Sequence, residues 1–156
     1  MTVELVRLDD RLVHGQVVVG WGQALAISLV ILVDDKVRES EWEQELYRMS
    51  MPPDMDVEFV SVAEAIGGVA GWSSSPRKTL LLTGTVEALV RLVEGAELRR
   101  VNIGGVHQHA DRRQRLRYVF LSEAEAAELA GLAARGVDVS AQDVPTARPI
   151  PWSEMP

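Results

Sequence analysis

At 156 residues the chain is long enough for one domain with a substantial core, and 47% hydrophobic with 25% charged residues is the balance of a globular protein, not a disordered one. Sixteen basic residues against twenty-three acidic ones give a net charge of -7, which argues against a nucleic-acid surface, since that needs a basic field. Cysteine is absent, which excludes disulfides and thiolate chemistry. Without a basic-then-apolar leader or an apolar run of ~20 residues, a cytoplasmic protein is expected, one that could still associate peripherally with a membrane transporter.

The run Val3 to Leu8 reads as a strand that stops sharply at Asp9 and Asp10, and Gly15 to Leu25 follows as an apolar-striped helix without proline. Ser28 to Val33 is nearly all apolar, as for a strand covered on both faces, and Asp34-Asp35 closes it. Val37 to Met49 carries Trp42, Leu46 and Met49 at helical spacing, and Trp42, like Trp21, is expected to turn to the core. Met51-Pro52-Pro53 ends that helix. Met55 to Val60 predicts a third strand, and Ser61 caps a short helix through Ala63, Ala65 and Ile66. Gly67 to Ser75, rich in glycine and serine, predicts a loop. Thr79 to Thr83 predicts a fourth strand, then a helix over Val86 to Val93 ending at a Gly95 left-handed cap, then a fifth strand over Leu98 to Ile103.

Val106 to Leu116 is polar and reads as an irregular loop or hairpin, followed by a short strand over Arg117 to Leu121. Ser122 with Glu125 forms a capping box opening a helix to Arg135, and Val137 to Val139 is a last strand. From about Pro145 a proline-rich tail is expected to lie irregularly along the surface. Repeated βα units with short connections imply a single three-layer α/β/α domain over residues 1–156, with a mainly parallel sheet of about six to seven strands.

In such a sheet every βα turn reaches the carboxyl edge, where ligands collect. The turns gathered there include Asp9 to His14, Asp34-Asp35, Ser61, Thr83-Gly84 and Asn102 to Gly105. The first carries two carboxylates, a guanidinium and an imidazole. His14, next to a helix start, sits where backbone amides can donate to a phosphate, and Arg11 can add a charge-assisted contact. The same physics supports a plain anion-binding turn or a hydrogen-bonded structural histidine, and Arg11 could be an exposed partner of Asp9 or Asp10. His107 and His109 form an HxH, but two ligands in a polar loop do not make a metal site and a solvated loop is expected. Arg112-Arg113-Gln114-Arg115 reads as a solvated charge run.

The segment Arg7-Leu8-Asp9-Asp10-Arg11-Leu12-Val13-His14-Gly15-Gln16-Val17 resembles the signature of the IIB subunit of mannose/fructose/sorbose-type sugar phosphotransferase systems. Trp21, Val33-Asp34-Asp35, Met51-Pro52-Pro53, Arg91-Leu92-Val93-Glu94-Gly95, Val101-Asn102-Ile103-Gly104-Gly105 and Gln142-Asp143-Val144-Pro145 match in the same order, so the resemblance covers nearly the whole chain. It implies a phosphotransferase that takes a phosphoryl group from a phosphohistidine of IIA onto His14, through Nδ1, and passes it to a sugar entering through membrane IIC and IID subunits. It further implies that Arg11 helps hold the phosphoryl group. Asp9, Asp10, Leu12, Val13, Gly15 and Gln16 would shape the loop, with no metal or cofactor required. Nucleic acid is not an expected partner, and a homodimer stays open.

The chain departs from that family at Asp34, where asparagine is common, and after Gly104-Gly105, where methionine and a later Gly-Lys pair give way to Val106-His107-Gln108-His109 and Asp111-Arg112-Arg113. A regulatory phosphocarrier of the same fold, in a system without sugar transport, is the alternative. A receiver-like domain phosphorylated on Asp9 or Asp10 ranks below both, because the late strand end carries Asn102 and Gly104 instead of lysine. A small-molecule binding module lacks a GxGxxG fingerprint.

Overall fold

Residues 2–156 are described by the computed structural model, Gln16 by its backbone alone. Seven strands form the main sheet: β1 (Val3–Leu8), β2 (Leu29–Val33), β3 (Asp56–Val60), β4 (Thr79–Thr83), β5 (Arg100–Ile103), β8 (Asp138–Ala141) and β9 (Ile150–Pro151). Their order is β3-β2-β4-β1-β5-β8-β9, every pairing parallel except β8 with β9. A separate hairpin pairs β6 (Arg113–Leu116) with β7 (Val119–Leu121).

Period-two alternation sorts the strand side chains onto two faces. Val6, Leu8, Ile31 and Leu81 pack under α4 (Val62–Ser74), α5 (Val86–Ala96) and α6 (Glu123–Ala134). Val30, Leu32, Leu80 and Leu82 pack on the other face with Val13, Val17, Val18 and Val37. Helices on both faces make the three-layer α/β/α architecture that the alternating pattern implies.

Several element boundaries differ from the sequence reading. Gly67 to Ser75 is not a loop: α4 runs through it, launched by a Ser61/Glu64 capping box. Gly68 lets the Trp72 indole fold back on its own helix, since a Cβ there would sit 2.7 Å from Trp72 Cη2. Gly95 is not a cap either. It lies inside α5, where a Cβ would come 2.4 Å from Ile66 Cδ1 of α4, and the left-handed residue is Glu97, at φ 54°. The helix expected over Val37 to Met49 is two helices, α2 (Asp35–Arg38) and α3 (Glu41–Met49), because Asp34 and Ser40 each cap a new start.

Trp42 and Met49 are 72% and 77% exposed and Leu46 is 46% exposed, so this stripe faces solvent and not the core. Trp21, in contrast, is buried. The tail is less irregular than its prolines suggest: Ile150 pairs with Ala141, adding β9 to the sheet. No helix among the described residues is long and apolar enough to cross a membrane.

Candidate functional site

From β1 the chain leaves toward β2 on one side of the sheet, whereas β5 leads toward β8 on the other. The neighbours β1 and β5 are therefore the point where the connections diverge, and a crevice opens above their carboxyl ends. The segments bordering it are Asp9 to Gly15 and Gly104 to Arg112.

The foundation is Arg7, a residue that the sequence reading included in a motif but not in the site. By alternation Arg7 shares a face with Leu5, and its side chain is fully buried. Its guanidinium donates to Asn102 Oδ1, to the carbonyls of Gln142 (2.8 Å) and Asp143 (3.2 Å), and to Asp9 Oδ2 (3.1 Å). The Trp21 ring lies 4.6 Å from the guanidinium carbon, a cation–π contact in a desolvated setting. Three segments distant in sequence, around Trp21, Asn102 and Gln142-Asp143, meet on this one side chain. Arg7 Nε is buried without a hydrogen-bond partner.

Asp9 stands between two guanidinium groups. Arg11 Nε and Nη2 donate to its two oxygens at 2.9 and 2.7 Å, and the Arg11 and Gly105 amides add contacts at 3.2 Å each. Burial alone would raise the Asp9 carboxyl, but the Arg11 hydrogen bonds, both guanidinium charges and the Gly105 amide outweigh it and hold it below the usual carboxylate range. Burial lowers the Arg7 guanidinium, opposed by Asp9. Arg11 is raised by its hydrogen bond to Asp9 and keeps 20% of its side chain exposed. Asp143 also acts on both guanidinium groups, and Asp10 acts on Arg11, so carboxylates balance the two cations.

Gly104 is required by crowding. A Cβ on Gly104 would fall 2.1 Å from Arg7 Nη2 and 2.5 Å from Asp9 Oδ2, so no side chain fits without dismantling the cluster. The turn itself is Asp9 to Leu12, closed by the Leu12 amide donating to the Asp9 carbonyl at 3.0 Å. Leu12 adopts φ 56°, which costs on the order of 1–2 kcal/mol for a side-chain-bearing residue. The strain is held by packing: Leu12 Cδ2 occupies the space over Gly84, where a Cβ would be 2.7 Å away. Val13 turns into the core.

His14 follows, exposed at the rim with Gly15. Its carbonyl accepts from the amides of both Val17 and Val18 at 2.9 Å. The expected helix then begins as a π-helical segment over Gln16–Trp21 and tightens to α-helix only at α1 (Gly22–Ala24), a widened geometry that concentrates at functional sites. The side chain of Gln16 lies outside the described residues.

Asp10 does not support Arg11 in the way Asp9 does. Its carboxylate accepts from the His107 amide at 2.7 Å and contacts His107 Nδ1 at 2.5 Å, while its own amide donates to the Gly105 carbonyl at 2.9 Å. His107 is thus engaged with the site loop, not merely solvated. Arg112, read as part of a solvated run, is bound by Glu125 at 2.9 and 2.8 Å. Asp34 caps α2, accepting from the Lys36 and Val37 amides at 2.9 Å, which accounts locally for a carboxylate there.

A cleft of about 320 Å³ opens beside Arg11 and His107, bounded by Tyr118, Phe120 and Asp143. A larger groove of about 780 Å³ lies at the opposite, amino edge between Leu5, Ile66 and Leu98, away from these polar groups. No group of three or more potential metal-ligating side chains occurs among the described residues.

Residues 3–155 match the family model of the sorbose subfamily of phosphotransferase system IIB components. The chain belongs to this family. It is a phosphotransferase-system component of the sugar-specific IIB type. It is 32% identical over 143 residues to the N-acetylgalactosamine-specific phosphotransferase enzyme IIB component 1 of Escherichia coli, covering 90% of each chain. It is 30% identical over 147 residues to the mannose-specific EIIAB component of the same organism, spanning 94% of this chain and about half (46%) of that longer relative. The crystal structure of the E. coli N-acetylgalactosamine-specific IIB component 1 superposes with a TM-score of 0.87 at 30% identity, over 95% of this chain and 97% of that one. The fold is that of IIB domains.

Proposed function

We propose that His14 is the phosphoryl acceptor of a sugar phosphotransferase. The donor is a phosphohistidine of a IIA protein or domain, the final acceptor a sugar hydroxyl presented by membrane IIC and IID subunits. The single observation that carries this reading is the placement of an exposed imidazole at the β1–β5 crevice, three residues from a guanidinium clamped by a buried carboxylate.

In the first step the lone pair of neutral His14, at Nδ1, attacks phosphorus. The donor P–N bond breaks, and the electron pair returns to the donor imidazole. In the second step the sugar oxygen attacks phosphorus, the P–N bond to His14 breaks with its electron pair returning to Nδ1, and the hydroxyl proton passes to solvent as the P–O bond forms. Little covalent machinery is needed in such a transfer; positioning and charge stabilisation carry it. Asp9 fixes one edge of the Arg11 guanidinium through two bonds, so Arg11 meets the phosphoryl oxygens already oriented and loses little freedom there. The Arg11 guanidinium stabilises the charge, and the side chain of Leu12 packed over Gly84 holds the turn in place.

The test uses phosphoenolpyruvate, the general phosphotransfer proteins and the IIA domain of the E. coli mannose-specific relative, with phosphoramidate as an independent donor. One acid-labile, alkali-stable phosphate should appear on the wild-type chain, and none on His14→Ala. Arg11→Ala should slow transfer roughly 10- to 100-fold with the fold retained. Unchanged kinetics in Arg11→Ala would remove Arg11 from the site, and a label persisting in His14→Ala would remove His14.

A further inference from the structure

We infer that His107 is a positioning residue for phosphoryl transfer, acting through Asp10 on the turn that presents His14; this rests on the reading of His14 as the acceptor. Beyond the contacts of Gly105 with Asp9 and Asp10, the segment after β5 is tied to the phosphoacceptor turn by the Asp10 carboxylate. Asp10 Oδ2 accepts the His107 amide at 2.7 Å, and Oδ1 meets His107 Nδ1 at 2.5 Å. Both oxygens are therefore occupied by one residue, in a two-point clamp. With Asp10 ionised, the contact places the ring proton on Nδ1, so His107 donates there and its Nδ1 is not available as a nucleophile. Two histidines close to the crevice are thereby given different roles: His14 is left to accept, and His107 to hold.

The clamp is itself anchored. Arg112 Nη1 donates to the His107 carbonyl at 2.8 Å, and Nε and Nη2 on one edge of its guanidinium donate to the two oxygens of Glu125. Glu125 Oε1 also accepts the Ser122 amide at 2.9 Å in the capping box that starts α6. A continuous chain of contacts runs from the first turn of α6 through Glu125, Arg112 and His107 to Asp10, one residue from Arg11. His107 is exposed, whereas Asp10, Arg112 and Glu125 are largely buried, and a lone pair to an exposed ring would hold a loop only weakly. Here each is fixed by a second bond. Asp10 also restrains the strained Leu12 turn from the side opposite to Gly84, because its amide is tied to the Gly105 carbonyl.

Stereochemistry provides the test. Asparagine places an N–H donor where His Nδ1 lies, whereas glutamine places it near the position of Nε2. His107→Ala and His107→Gln should lower the rate of phosphoryl transfer onto His14 roughly 10-fold or more, and His107→Asn should restore most of it, with melting temperatures of all three near wild type. In a double-mutant cycle, Asp10→Ala and His107→Ala should be strongly non-additive, the pair costing little more than Asp10→Ala alone. Equal rates in the alanine, glutamine and asparagine variants, or additive losses in the cycle, would overturn the inference while leaving phosphate on His14. Absence of phosphate from His14 in the wild-type chain would overturn both readings.

Discussion

Replacing Arg7 by methionine tests whether the buried guanidinium organises the site. Methionine retains an unbranched stem beside Trp21 but deletes four donated hydrogen bonds: to Asn102, Gln142, Asp143 and Asp9. Removing one partner of a fully buried ion pair costs roughly 3–5 kcal/mol, because the groups left behind are desolvated and unmatched. For a chain of this length each kcal/mol lowers the melting temperature by about 2–4 °C, so Arg7→Met should melt roughly 6–20 °C below wild type. Arg7→Lys keeps the charge but not the planar fork, and one ammonium cannot serve four acceptors spread around it, so its loss should be intermediate. Circular dichroism melts at low and high salt measure this directly. The deficit should persist in high salt, unlike any contribution of exposed pairs such as Arg38–Glu64, which salt screens. An Arg7→Met chain melting within about 2 °C of wild type would refute the reasoning, since it would place the contribution of Arg7 below about 1 kcal/mol.

Asp9 has a folded pKa below its unfolded value, so the stability it contributes is present above the unfolded value of about 3.9 and is lost as pH falls through the lower folded one. Asp9→Asn should therefore be less stable than wild type at pH 7 and show a shallower decline below about pH 4, read by melts across pH 2–7. Gly104→Ala should cost about 1–3 kcal/mol from overpacking against Arg7 and Asp9, measured by urea denaturation; a neutral result would contradict the packing described around Gly104. Trp42→Ser should change stability by no more than about 0.5 kcal/mol, because the indole is 72% exposed; a large loss would restore it to the core.

The alternation of strands with helices made the α/β/α order readable because buried parallel strands such as Leu29–Val33 and Thr79–Thr83 are continuous apolar runs. Capping boxes at Ser61 and Ser122 marked helix starts for the same local reason. Gly67 to Ser75 misled, because its glycines lie inside α4, where Gly68 makes room for Trp72. Helical spacing of Trp42, Leu46 and Met49 identifies a shared face, but spacing cannot say which way that face points. At the site, the local motif brought Asp9 to Gln16 together on paper. Arg7 was passed over because its partners come from β5 and the Gln142-Asp143 segment, contacts that only the fold creates. A charged side chain at an inward strand position between Val6 and Leu8 was the signal available. His107 was discounted as part of an HxH in a polar loop, and nothing local linked it to Asp10, 97 residues away.

The most direct measurement of the central claim is phosphorus-31 NMR of the phosphorylated intact chain, paired with site mapping by electron-transfer fragmentation. A single phosphohistidine at Nδ1 of His14 is the expected result. Phosphate on His107, His109 or an aspartate, or none at His14 with either donor, would contradict the account.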